Sequence, residues 1–129
     1  MTDQKAEPLV LVVDDYEDSR EMSMEFLSLS GFRVAEAKDG LEAVARALEL
    51  QPDVILMDYS LPGIDGWEAT RRIRAAANGN AKTIRIVGLT GYGEAEELDR
   101  AKQAGCDAFI TKPCPPDKLV AEIQKLVKR

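Results

Sequence analysis

Asp53-Val54-Ile55-Leu56-Met57-Asp58 is the stretch on which the fold turns. It holds no polar alternate position between its two aspartates, so it reads as a strand covered on both faces. Such strands belong to parallel sheets with helices on either side. The same pattern recurs outward along the chain. Leu9-Val10-Leu11-Val12-Val13 runs into Asp14-Asp15, Ile84-Arg85-Ile86-Val87-Gly88-Leu89 into Thr90, and Ala108-Phe109-Ile110-Thr111 into Lys112. Phe32-Arg33-Val34-Ala35-Glu36 is more mixed, as suits an edge strand.

Amphipathic segments alternate with these strands. Met22, Phe26 and Leu29 mark a first helix, with Asp18 placed to cap it. Leu41, Val44, Ala45 and Leu48 follow i, i+3, i+4, i+7 spacing and predict one apolar helical face. A third helix is predicted over Trp67–Ala77, opened by Asp65-Gly66, with Trp67 as packing. A fourth covers Glu94–Ala104, stopped by Gly105. Its apolar face is weak (Ala95, Leu98, Ala101, Ala104), so it is expected to pack least firmly. Leu119, Val120, Ile123, Leu126 and Val127 mark the last helix, with Pro115-Pro116 in its first turn. Five βα units in this order predict an α/β fold of three layers, one parallel sheet between two sets of helices.

The bulk numbers fit a domain of this kind. The chain has 129 residues, 45% hydrophobic and 31% charged, enough to bury a core without disulfide or metal staples. A net charge of −6 argues against a nucleic-acid surface. Two cysteines, Cys106 and Cys114, are too few for a disulfide framework and are expected to be unpaired thiols. No apolar run approaches the ~20 residues that span a bilayer, and the amino-terminal residues lack a signal-peptide core. A cytoplasmic protein with no membrane contact is the expectation. The chain has no histidine, which excludes histidine-based catalysis and a phosphohistidine donor role.

The chemistry gathers at the strand ends, where ligands of open parallel sheets bind. Asp14, Asp15 and Asp58 bring three carboxylates there, Thr90 a hydroxyl and Lys112 an ammonium. Clustered like charges penalise one another's ionisation, and Lys112 offers a single counter-charge. An all-oxygen donor set without His or Cys suits Mg2+ or Mn2+ rather than zinc. A metal and a lysine beside a carboxylate are what phosphoryl transfer requires. Each residue also has a plainer role available: turn or helix capping for the aspartates, strand packing for Thr90 and Phe109, and a solvated loop position for Lys112.

Asp14-Asp15, Asp58, Leu61-Pro62-Gly63-Ile64-Asp65-Gly66, Thr90 and Lys112-Pro113, in that order, resemble the response-regulator receiver family of two-component signalling, including its chemotaxis-type single-domain members. The likeness runs from about Pro8 to the last helix, leaving residues 1–7 as a flexible tail and 8–129 as the domain. It implies a flavodoxin-like (βα)5 topology with strand order 2-1-3-4-5. It also implies roles. Asp58 is the phosphoacceptor, and Asp14, Asp15, Asp58 and the Ser60 carbonyl hold the metal. Lys112 pairs first with Asp58 and then with the phosphoryl oxygens. Thr90 and Phe109 form the switch, and the Lys112–Pro113 bond is cis. Ser60 and Tyr92 tune hydrolysis, with bulky Tyr92 shielding the acyl phosphate.

The implied phosphodonor is a histidine kinase or a histidine phosphotransfer protein. A further protein partner reads the state through the fourth helix, fifth strand and fifth helix. With the sequence ending just after the last helix, a stand-alone receiver without an output domain, or a piece of a larger regulator or hybrid kinase, is expected, as monomer or weak homodimer. The competing reading is an aspartyl-phosphate phosphohydrolase of haloacid-dehalogenase type. That class wants an acid two positions after its nucleophile, where this chain has Ser60. A flavodoxin-like electron carrier ranks last, because acidic strand ends repel a flavin phosphate. A switch that is no turnover enzyme is the expectation.

Overall fold

The computed structural model describes residues 7–76, 84–91 and 95–127, with side chains for all but 95–97. Strands and helices alternate along the chain: β1 (Leu9–Val13), α1 (Glu17–Leu29), β2 (Arg33–Ala37), α2 (Gly40–Leu50), β3 (Val54–Asp58), α3 (Gly66–Ala76), β4 (Arg85–Thr90), α4 (Ala95–Ala104), β5 (Ala108–Thr111) and α5 (Pro116–Val127). The strands form one sheet in the order β2-β1-β3-β4-β5, with every neighbouring pair parallel. This is the flavodoxin-like topology. The mixed strand β2 is an edge, and all five residues of β3 are buried.

Alternation along the strands divides the core in two. Leu11, Val13, Ile55, Met57 and Ile86 pack with Ala43, Ala47, Trp67, Ile73 and Ala101, which places α2, α3 and α4 on one face. Val10, Val12, Leu56, Val87 and Leu89 pack with Leu27, Leu119, Val120 and Ile123, which places α1 and α5 on the other. The near-continuous apolar runs are thus the two-faced pattern of a covered sheet. No helix among the described residues is long and apolar enough to cross a membrane.

Two helices differ from the sequence expectation in the face they bury. In α2 the inward residues are Gly40, Ala43 and Ala47, whereas Leu41 and Leu48 are exposed. The close approach of the neighbouring loop is the reason. A Cβ at Gly40 would stand 2.6 Å from the Ile64 carbonyl, so only small residues fit inward. In α1 the buried residue is Leu27, and Met22, Phe26 and Leu29 face solvent. Asp18 lies inside the first turn of α1 and is not its cap; Tyr16 holds that position without a side-chain cap. The carboxylate still suits the positive helix end.

The other punctuation follows local chemistry. The Asp65 Oδ1 accepts the Glu68 N–H at 2.8 Å and caps α3. Gly105 ends α4 at φ +112°, a conformation costly for a residue with a Cβ. Arg74 of α3 then ties that end down: its guanidinium donates to the carbonyls of Gly105 and Ile84 and to the Asp107 carboxylate. Ala101 and Ala104 of α4 are buried. Pro115 accepts the N–H groups of Lys118 and Leu119, so Pro116 enters α5 where a missing N–H costs little. Cys106 and Cys114 are free thiols, and burial pushes Cys106 up to about 11. Trp67 is buried against β4, where Gly88 makes room for it; a Cβ there would stand 2.7 Å from the indole Cη2.

Gly66 sets how closely α3 approaches the end of β3. A Cβ on it would run into the Asp58 carbonyl and stand 2.9 Å from the Tyr59 Cα. Gly66→Ala should therefore destabilise the fold by about 3 kcal/mol, since backbone cannot move aside cheaply. A urea denaturation midpoint unchanged from wild type would contradict this packing.

Candidate functional site

The sheet ladder continues past the strand ends and fixes the polar residues there. Asp14 N–H donates to the Ala37 carbonyl at 3.1 Å, Tyr59 N–H to Leu89 at 2.9 Å and Lys112 N–H to Thr90 at 2.8 Å. The residues just beyond β1, β3 and β5 are thus held as firmly as strand residues. Asp14, Asp15 and Asp58 come together, each offering one carboxylate oxygen, and these oxygens lie within 4.8 Å of one another. Thr90 ends β4 in the register position after Leu89, the Cα partner of Asp58, and it is buried.

Asp58 is only 3% exposed. Its Oδ2 accepts the Lys112 ammonium at 3.0 Å, and its Oδ1 accepts the Ser60 N–H at 3.2 Å. The carboxyl is nevertheless pushed above its ordinary range. Burial is the largest cause, Lys112 and the Ser60 N–H pull the other way, and the Asp14 charge adds to the rise. Burial outweighs the pair because the Lys112 side chain remains 40% exposed, so water screens its charge. The bond between Lys112 and Pro113 is cis.

Asp14 is held from three sides. Its Oδ1 accepts the Tyr16 N–H at 3.0 Å and its Oδ2 the Ser19 hydroxyl at 2.6 Å. Its carbonyl accepts Arg20 Nη1 at 2.9 Å, while Arg20 Nε pairs with Glu36 at 2.8 Å. Asp14 thus closes the turn before α1 without capping the helix, alongside any role in the cluster. Sequence reading passed over Ser19 and Arg20. Their signal was position: side chains in the first turn of a helix tilt back towards its amino end, here towards Asp14.

The donor set fits a hard divalent cation. All three candidate ligands are carboxylate oxygens, and Asp15 is exposed at the mouth. Mg2+ takes oxygen ligands at about 2.1 Å and keeps waters in its remaining positions. The free thiols are no part of this cluster. Ser60 is exposed next to Asp58. Phe109 is half-buried and packs against the core layer under α2, α3 and α4. Tyr92 lies outside the described residues.

The raised Asp58 carboxyl has a consequence for metal-free stability. Its folded value lies above the ordinary 3.8, so the stabilising protonated form is fully present below that pH and is lost as pH rises past the raised value. In EDTA, Asp58→Asn should be more stable than wild type at pH 7 by about 1 kcal/mol, or about 4 °C in Tm. The advantage should shrink on acidification towards pH 3.8. Mg2+ at 100 times its Kd should raise the wild type alone by about 2.7 kcal/mol. Thermal melts of both proteins across pH, with and without Mg2+, check these signs.

Comparison with known proteins agrees with this geometry. The family model described as "Response regulator receiver domain" matches residues 10–124. The transcriptional regulatory protein ResD of Bacillus subtilis is 36% identical over 127 residues, covering 98% of this chain and 51% of that protein. The chain spans about half the length of the first curated relatives it matches. Among solved structures, the chemotaxis protein CheY4 of Vibrio cholerae superposes with a TM-score of 0.87 at 31% identity, covering 95% of this chain and all (100%) of that one. The receiver domain of the sensor histidine kinase PA1611 from Pseudomonas aeruginosa, solved with a magnesium ion coordinated in its active-site cleft, gives a TM-score of 0.85 at 31% identity, covering 96% and 100%. Nothing in these likenesses supports the haloacid-dehalogenase alternative. With the matching motif, topology and acidic cluster together, the chain belongs to the response regulator receiver domain family of two-component signalling.

Proposed function

We propose that this domain is a phosphorylation-controlled binding switch whose input is Asp58. One observation carries the reading: a buried carboxylate, paired with an ammonium at 3.0 Å, has two further carboxylate oxygens within 4.8 Å. An Asp58 oxygen attacks the phosphorus of a phosphohistidine on a kinase or phosphotransfer protein. The new P–O bond forms as the P–N bond breaks, and the freed imidazole takes a proton. Asp14, Asp15, Asp58 and the Ser60 carbonyl would hold Mg2+ or Mn2+, which when bound neutralises charge on the transferring oxygens. Lys112 passes from the Asp58 carboxylate to the phosphoryl group, and Thr90 donates its hydroxyl to it. A phosphoryl group that binds Thr90 and Lys112 better in one conformation shifts the population towards it.

Two surfaces support the input and the output. Tyr16, Met22, Phe26 and Leu29 are exposed on and beside α1, the helix whose first turn reaches the acidic pocket. A helical donor laying an apolar stripe on this one brings its histidine to Asp58. On the output side, Phe109, Pro113, Pro115 and Lys118 line a groove of about 350 Å³ between β5 and α5. Phe109 thus belongs both to the core beneath the site and to the groove wall, so its rotation alters the surface a partner reads. The domain acts as a switch rather than a turnover enzyme, in the cytoplasm, with self-phosphorylation from small donors and self-dephosphorylation as its own chemistry.

Incubation with acetyl phosphate and Mg2+, read by intact mass, tests the input. Wild type should gain one phosphoryl group, and Asp58→Asn or EDTA should abolish the gain. No adduct on wild type, or one that survives Asp58→Asn, would sink the reading. Fluorescence tests the switch. Trp67 packs against Tyr59, the neighbour of Asp58, with ring centroids 4.9 Å apart and planes tilted by 37°. Beryllofluoride with Mg2+ should change the Trp67 emission of wild type, and Thr90→Ala should lose most of that change.

A further inference from the structure

We infer that Ser19 is a positioning residue for the acidic pocket, holding the Asp14 carboxylate in the orientation that binds Mg2+; the inference rests on the metal-dependent reading above. The Ser19 hydroxyl donates to Asp14 Oδ2 at 2.6 Å, a length typical of strong bonds to a charged acceptor. The Tyr16 N–H holds the other oxygen at 3.0 Å. Two donors on two oxygens fix both side-chain torsions of Asp14. Arg20 fixes the backbone beneath it through the Asp14 carbonyl. Ser19 stands in the first turn of α1, yet its hydroxyl is directed to Asp14 and is no helix cap.

Two effects of this hydroxyl oppose each other. By drawing charge from the carboxylate it weakens Asp14 as a donor. By fixing the carboxylate it removes the cost of ordering it and keeps it from turning away from the like-charged Asp58. For a small cation that demands near-ideal octahedral geometry, orientation wins, and removing such an outer partner costs about 10–100-fold in affinity. Ca2+ accepts irregular geometry and more ligands, so it should feel the loss less. Ser19 would then tune selectivity between the two cations as well as affinity.

Calorimetric titration of the unphosphorylated full chain with MgCl2 and with CaCl2 tests this. Ser19→Ala should weaken Mg2+ binding about 10-fold and Ca2+ binding at most about 3-fold. Ser19→Thr, which keeps the hydroxyl, and Ser28→Ala, an exposed serine of the same helix, should both stay near wild type. Unchanged Mg2+ affinity in Ser19→Ala would overturn the inference, as would an equal loss in Ser19→Thr. So would parallel losses for both cations with a lower metal-free Tm, the signature of a purely structural role. Wild type giving no EDTA-sensitive Mg2+ heat would overturn the metal reading itself, and the inference with it.

Discussion

Asp58 ends the central strand of the sheet, and there its carboxylate is taken almost wholly out of water. Burial alone favours its neutral form, and Lys112 from beyond β5 opposes this from 3.0 Å. The balance leaves a carboxylate whose ionisation is disfavoured relative to one in water, and the Asp14 charge adds to that. A dication and one ammonium together match three carboxylates. On the proposed reading, metal binding at the cluster and phosphorylation of Asp58 would be two consequences of one electrostatic constraint.

That constraint can be held only because the sheet supplies position. β3 lies between β1 and β4, and the ladder carries on through Asp14, Tyr59 and Lys112 after the strands proper have ended. Gly66 lets α3 start directly against the Asp58 carbonyl, and Gly88 admits the Trp67 ring beneath it. The pocket thus stands on closely packed backbone, with little freedom to relax when its charge changes. On the proposed reading, a phosphoryl group on Asp58 would be accommodated by the side chains of Lys112 and Thr90, while Phe109 lines the groove between β5 and α5.

The first turn of α1 serves the pocket and the surface at once. Ser19 and Arg20 reach back to Asp14, while Tyr16 just before them and Met22 and Phe26 further along α1 face solvent. Ordering at the acidic cluster and ordering of this helix end share the same hydrogen bonds. Any ligand that fixes one is therefore linked to the other, and by equal amounts in either direction.

The strands were legible in the sequence because a strand covered on both faces has no polar alternate positions, a signal that survives without knowledge of its neighbours. The alternation of strands and helices followed, and with it the gathering of Asp14, Asp15, Asp58, Thr90 and Lys112 at one edge. Helix faces were a different matter. In α2 the larger apolar residues Leu41 and Leu48 point outward and Gly40, Ala43 and Ala47 inward, since the distance to the packed layer, not hydrophobicity alone, selects what fits. Periodicity locates a helix without revealing that distance. The hold of Ser19 on Asp14 and of Arg74 on the end of α4 were equally hidden, because each joins residues whose meeting depends on how separate elements are placed. The sequence by itself determined which groups meet at the carboxyl edge, as strand order and chain direction force it. Only the tertiary structure decided how each is oriented, how deeply each is buried, and which neighbours hold it there.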